Sequence, residues 1–98
     1  MMKRIEILGY KAKVARKLVE RIRGLIGTKD LPSDEGMLIL KCNAIHTFFM
    51  SFPIDAIFLD KNDNVVKTVK NIRPWRFFVW GGFKAAKVLE IKSKDKIN

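Results

Sequence analysis

The chain has 98 residues, 48 % of them hydrophobic, and ten more basic than acidic side chains. That length supports one domain with one core, and the aromatic and β-branched content excludes a disordered chain. No apolar run approaches the roughly 20 residues that span a bilayer. The basic start lacks the apolar stretch and cleavage site of an export signal, and a single cysteine forms no internal disulfide. A cytoplasmic protein with no membrane partner is therefore expected. The absence of Gln beside abundant Lys and Ile points to a high-temperature organism.

Residues 3–8 predict a short strand with Ile5 and Ile7 on one side, broken at Gly9-Tyr10. From residue 12 to 26 the apolar spacing turns helical. Ala15, Leu18, Val19, Ile22, Leu25 and Ile26 fall in a stripe about 120° wide. Lys13, Lys17 and Arg21 occupy the opposite face, and Arg16 and Glu20 are spaced as an i,i+4 pair. Gly27 suits the helix C-terminus. Residues 29–36 read as a loop, and residues 37–41, 45–52 and 54–60 as strands. Residues 61–64 form a hairpin turn, 65–72 the return strand, 73–82 an aromatic loop and 85–92 a last strand. The expected fold is a single α+β domain over residues 1–98. It has one N-terminal amphipathic helix packed on a curved, mainly antiparallel sheet or partly open β-barrel.

The charge is uneven. Residues 1–29 and 61–98 each carry a net +7, whereas residues 30–60 hold one Lys against five acids. That acidic island contains the only cysteine and the only histidine, Cys42 and His46, followed by Asp55. A Cys–His pair within hydrogen-bond reach yields a nucleophilic thiolate, with Asp55 positioned to orient the imidazole. On extended backbone, however, residues i and i+4 lie about 13 Å apart, so a turn at Asn43-Ala44 is required. The alternative is a buried thiol acting as a small hydrophobe and an imidazole satisfied by backbone. Two Cys/His residues fall short of a four-ligand zinc site, so neither a metal nor another cofactor is expected.

Alternation along 45–52 puts His46, Phe48, Met50 and Phe52 on one face, which reads as core. Asp55 shares a face with Ile57 and Leu59 and is the odd polar residue there. Such an acid is paired or functional, and His46 and Arg23 are its candidate partners. In residues 74–80, aromatic rings alternate with a guanidinium. With the helix row they nominate Lys13, Lys17, Arg21, Trp75, Arg76 and Trp80 for nucleic acid. No named nucleic-acid motif accompanies them, and rings that plug one end of the sheet are the competing explanation.

Arg23-Gly24-Leu25-Ile26-Gly27, Gly36-Met37-Leu38, Ile45-His46-Thr47-Phe48-Phe49-Met50, Ile54–Asp60 and Val88-Leu89-Glu90-Ile91 occur here in that order. Over about residues 14–92 this pattern resembles the domain of unknown function 192 family, in its branch with Cys42 and His46. The resemblance implies a compact α+β fold and no assigned catalytic activity. It also implies a small-residue turn, a short helix and a closing strand after the Leu-Glu strand. Here residues 94–97 stand directly in the place of the closing strand, and any pocket wall built by the missing segment is absent.

The reading that follows is a non-catalytic binding module, monomeric or weakly self-associating. It takes an anionic or small-molecule ligand or a protein partner through His46, Asp55, Trp75 and Arg76. The alternatives are a small hydrolase or thiol transferase using Cys42, His46 and Asp55, and a non-specific nucleic-acid-binding accessory.

Overall fold

The computed structural model describes residues 2–94. It contains eight strands and one short helix: β1 (Lys3–Ile7), β2 (Tyr10–Ala15), α1 (Leu18–Arg23), β3 (Glu35–Leu40), β4 (Ala44–Ile45), β5 (Ile54–Leu59), β6 (Val65–Ile72), β7 (Val79–Trp80) and β8 (Lys87–Lys92). Six strands form one open sheet in the order β1-β2-β3-β8-β5-β6, and β4 and β7 form a separate ribbon. Within the large sheet only β2 and β3 run parallel. Their connection carries α1, as a parallel crossover needs a dozen or more residues.

The expected α+β domain with an N-terminal amphipathic helix is corrected: the protein is mostly sheet, its first element is a strand, and the sheet does not close into a barrel. Residues 10–15 alternate, with Ala12 and Val14 buried and Lys11 and Lys13 exposed. They pair with β1 on one side and β3 on the other. Two strand partners outweigh a helical period that the same residues also satisfy. What remains of the helix is six residues long and buries none of them. Leu18, Val19 and Ile22, expected in the core, are 62, 76 and 61 % exposed. Glu20 does not form the expected ion pair with Arg16. Its carboxylate reaches back to accept the Arg16 and Lys17 backbone N–H groups at 3.1 and 3.0 Å, half of a capping box.

Residues 45–52 also depart from expectation. Only Ala44–Ile45 is strand, and the chain then turns, with Phe49 at φ 61° and the Met50 N–H bonded to the Thr47 carbonyl. The 61–64 turn and its flanking strands agree with the sequence pattern. Asp60 closes that turn by accepting the Asn62 and Asn64 N–H groups at 2.8 and 3.0 Å. The closing strand expected at 94–97 lies outside the described residues apart from Lys94, whose ammonium sits 5.4 Å from the Tyr10 ring centroid.

The main core lies on one face of the sheet, where Ile39, Ile54, Ala56, Phe58 and Val88 meet Leu25, Leu31, Met50 and Phe52 from the connecting segments. The other face gathers Ala12, Leu38, Leu59, Leu89 and Ile91. At Gly81 the backbone passes so close to the Phe58 ring that a Cβ would overlap it. This contact ties the β7 segment to the core.

Leu8 and Gly9 form the two-residue β1–β2 turn with φ of 51° and 83°. A turn with both central residues at positive φ favours Asn-Gly, and Leu8 is half exposed, so little packing opposes a change. Leu8→Asn should raise the unfolding free energy by up to about 1 kcal/mol, read by urea denaturation.

Candidate functional site

A cavity of about 310 Å³ opens between the α1 segment and the sheet. Ile39 and Glu90 line it from the sheet, Gly24, Leu25 and Ile26 from the turn after α1, and Cys42, Ile45, His46 and Met50 from the chain around β4. Leu18, Arg21, Ile22, Arg23, Lys41 and Ala44 complete the lining. Its walls are mostly apolar, and its most unusual member is Glu90.

Glu90 sits mid-strand on β8, opposite Met37 of β3 and Ala56 of β5. Residue alternation turns its side chain into the main core face with Val88. It is 2 % exposed, and Oε1 has no hydrogen-bond partner. Removal from water penalises the ionised form and pushes the carboxyl up to about 8. At neutral pH Glu90 is therefore mostly a neutral acid able to donate its proton in a hydrogen bond. Gly24, at φ 51°, lies directly over it: a Cβ there would come within 3.2 Å of Oε1. A side chain at this position would be both strained and in the way.

Arg21 adds a second group with unspent hydrogen-bonding capacity. One terminal nitrogen donates to the Lys41 carbonyl at 3.2 Å, while Nε is buried without a partner. Cys42 Sγ is 3.0 Å from the Ala44 carbonyl, to which it donates. Burial pushes the thiol up, and the Ala44 hydrogen bond, with a smaller contribution from the Arg21 charge, offsets only part of that. Cys42 and His46, the alternative nucleophile pair, thus line one cavity, and each hydrogen-bonds to backbone and not to the other. His46 Nδ1 accepts the Phe48 N–H at 3.2 Å, so that nitrogen is engaged by the backbone.

Asp55 does not line the cavity. It is 8 % exposed, and Oδ1 accepts the N–H of Asn71 at 2.8 Å, with Asn71 at φ 53°. The β5–β6 register slips between Ile54 and Ala56, so Asp55 holds a bulge together. It binds neither His46 nor Arg23, whose Nε donates to the Ile26 carbonyl.

Trp75 and Arg76 are gathered by Thr47 instead. The fully buried Thr47 Oγ1 donates to the Arg73 carbonyl at 2.7 Å and accepts the Arg76 N–H at 2.8 Å. Its own N–H donates to the Arg76 carbonyl, and its carbonyl accepts the Trp75 N–H. Ring contacts then run from His46 to Phe48 (5.4 Å between centroids) and from Phe48 to Trp75 (6.0 Å) and Phe77 (5.9 Å). Lys13, expected in a helical row with Lys17 and Arg21, stands on β2 instead, so that row does not exist. Trp80 belongs to β7 and packs edge-on against Phe83. Among the described residues no three His, Cys, Asp or Glu side chains converge. No helix among them is long and apolar enough to cross a membrane.

Glu90 and Arg21, whose buried Oε1 and Nε have no hydrogen-bond partner, are members of the cavity that the ligand set read from sequence omits. The signal for Glu90 was present: an acid inside the apolar run Val88-Leu89-Glu90-Ile91, the same anomaly that singled out Asp55.

These features define a small, mostly-β domain with one crossover helix and an apolar cavity floored by an acid. The chain belongs to the DUF192 family, described as "Uncharacterized ACR", which it matches over residues 2–95. The match thus takes in the β1–β2 hairpin as well. A UPF0127 protein of Thermococcus sibiricus is 41 % identical over a segment covering 70 % of this chain and 47 % of the relative. The chain therefore spans about half that relative's length. A protein of unknown function from Novosphingobium aromaticivorans shares the fold at a TM-score of 0.80 and 23 % identity, covering 87 % of this chain and 64 % of its own. A Sinorhizobium meliloti protein, provisionally described as a transcription regulator, does so at 0.80 and 19 %, covering 86 % and 69 %. At these identities the two likenesses show the fold alone.

The Glu90 carboxyl rises from an ordinary 4.5 to about 8 on folding. Below about pH 4.5 both states are protonated and the group is neutral to stability. Between there and about 8 only the unfolded chain ionises, so stability falls as pH rises, by on the order of 1 kcal/mol per pH unit. Glu90→Gln should remove this slope while leaving the behaviour outside that window unchanged, as read from denaturation midpoints across pH. Separately, Thr47→Val strips two hydrogen bonds from the 73–76 segment. It should cost about 1–3 kcal/mol and broaden the amide resonances of Trp75 and Arg76.

Proposed function

We propose that this protein is a non-catalytic binding module whose site is the cavity over Glu90. Its ligand is a small, largely apolar molecule bearing one hydrogen-bond-accepting or anionic group. The observation that carries this reading is Glu90 Oε1, buried without a partner at the floor of an open cavity. A buried polar atom left unsatisfied costs about 1–3 kcal/mol, and a ligand oxygen facing it recovers that loss. The protonated carboxyl offers one donor and the Arg21 Nε another, which suits a carbonyl or carboxylate head. The apolar walls suit a short hydrocarbon or ring. Cavities of this size and lining are the usual form of small-molecule sites.

The binding set proposed here is Glu90, Arg21, Cys42 and His46, which line the cavity, whereas Asp55, Trp75 and Arg76 do not line it. A thiol pushed up by burial is a poor nucleophile at neutral pH, which favours binding over a Cys–His hydrolase or transferase.

The test is an amide-detected NMR titration with matched series of short-chain carboxylic acids, alcohols and amines. Acids and alcohols should give saturating shifts at Gly24, Leu25, Cys42 and Ile45, and amines should not. Glu90→Leu should weaken the response at least tenfold. Saturation by amines, or unsaturated shifts away from the cavity, would reject the site.

A further inference from the structure

We infer that the aromatic knot formed by Phe48, Phe49, Trp75 and Phe77, flanked by Arg73 and Arg76, is a preformed wedge that seats in the surface of an anionic lipid bilayer. The inference does not rest on the cavity, and it reverses the expectation of no membrane partner for surface contact only.

Three observations lead to it. The first is exposure: Phe49, Trp75 and Phe77 present 65, 59 and 78 % of their surface to water, Phe49 meeting Trp75 directly and Phe48 joining Trp75 to Phe77. A contiguous exposed group of large rings marks an interaction site.

The second is strain. Phe49 and Trp75 hold φ of 61° and 71°, a region costly for bulky side chains and cheap for glycine. Both sit on turns fastened by Thr47, which bonds to Met50 on one side and to Arg73, Trp75 and Arg76 on the other. Strained backbone of this kind collects at functional sites. Here its effect is to hold two rings, 4.7 Å apart, outward from the protein.

The third is charge. Between residues 64 and 89 there are six basic residues and no acid. Lys67 is bonded to the Trp80 carbonyl and Lys87 to Asp63. Arg73 and Arg76 are exposed and form no ion pair among the described residues. Rings at headgroup depth with cations beside them match the interface of an anionic membrane.

Nucleic acid also attracts basic aromatic loops, but it stacks bases on open, parallel ring faces. These rings are tilted against each other by 47–68°. They form a solid corner suited to insertion between headgroups.

The test uses the Trp80→Phe protein, so that Trp75 alone fluoresces. It is mixed with vesicles of phosphatidylcholine, or of phosphatidylcholine and phosphatidylglycerol in equal parts. Co-sedimentation with the anionic vesicles only is expected, with a blue shift of Trp75 and its quenching by brominated acyl chains. These readings require no change at the wedge itself. Phe49→Ser with Phe77→Ser should lower the partition at least tenfold, and Phe77→Ser alone serves if the pair perturbs the fold. Absence of anionic-vesicle binding overturns the proposal. So does binding that leaves Trp75 unquenched and survives ring removal, which is charge attraction only. Displacement from vesicles by a single-stranded oligonucleotide that itself quenches Trp75 overturns it in favour of nucleic acid.

Discussion

Strand β8 is the member on which the large sheet depends. It pairs with β3 along one edge and β5 along the other, and these two strands pair with each other nowhere. Its side chains go alternately into the two cores, Val88 into one and Leu89 and Ile91 into the other. A strand so placed is ordinarily apolar on both faces. Glu90 breaks that rule at the strand's centre, where neither shifting the register nor turning the side chain is open to it. A one-residue slip would exchange every other side chain between the two cores. The acid is held in place by everything around it, and the protein answers by keeping it protonated and by leaving a glycine and a cavity over it.

A second pivot, Thr47, organises the segments around the β4–β7 ribbon. Four hydrogen bonds from one buried residue lock the segment after β4 to the segment before β7, while the two-residue ribbon alone pairs only Ala44 with Trp80 and Ile45 with Val79. So short a ribbon has little stability of its own. Two side-chain and two backbone bonds of one residue replace a ladder here, which frees the loops from strand geometry and lets Phe49 and Trp75 take up left-handed backbone. His46 joins the two regions, lining the cavity and touching the ring cluster through Phe48.

The sequence exposed the strands that are apolar and bounded by turn residues: β3, β5, β6 and β8 can all be read from it. It misled where two periods fit the same residues. Residues 12–15 fall inside the span whose later residues set the helical stripe and also alternate as a strand, and the choice was made by pairing with β1 and β3. It misled again at residues 45–52, where the alternation of apolar residues is real but the backbone at Phe49 leaves the β region. Of the site, Cys42 and His46 stood out through rarity. Asp55 stood out through its apolar setting, and its partner, the Asn71 N–H, is a backbone group across a bulge that no pattern of side chains announces. Arg21 was read as a phosphate-facing cation because a long helix was assumed beneath it. Glu90 carried the same mark as Asp55, yet its meaning depended on what lay above it, and Gly24 is 66 residues earlier in the chain.

The open sheet has one further consequence. Among the described residues β1 and β6 each keep one edge without a neighbour, and a bare edge is a template on which another copy can grow. The side chains along those edges include Lys3, Arg4, Glu6, Lys67 and Lys70, most of one sign. A second molecule approaching edge-first must bring like charges together before a single backbone bond forms. The large positive charge, whatever it attracts, also acts as a fence between copies, and its reach is set by the salt around the protein.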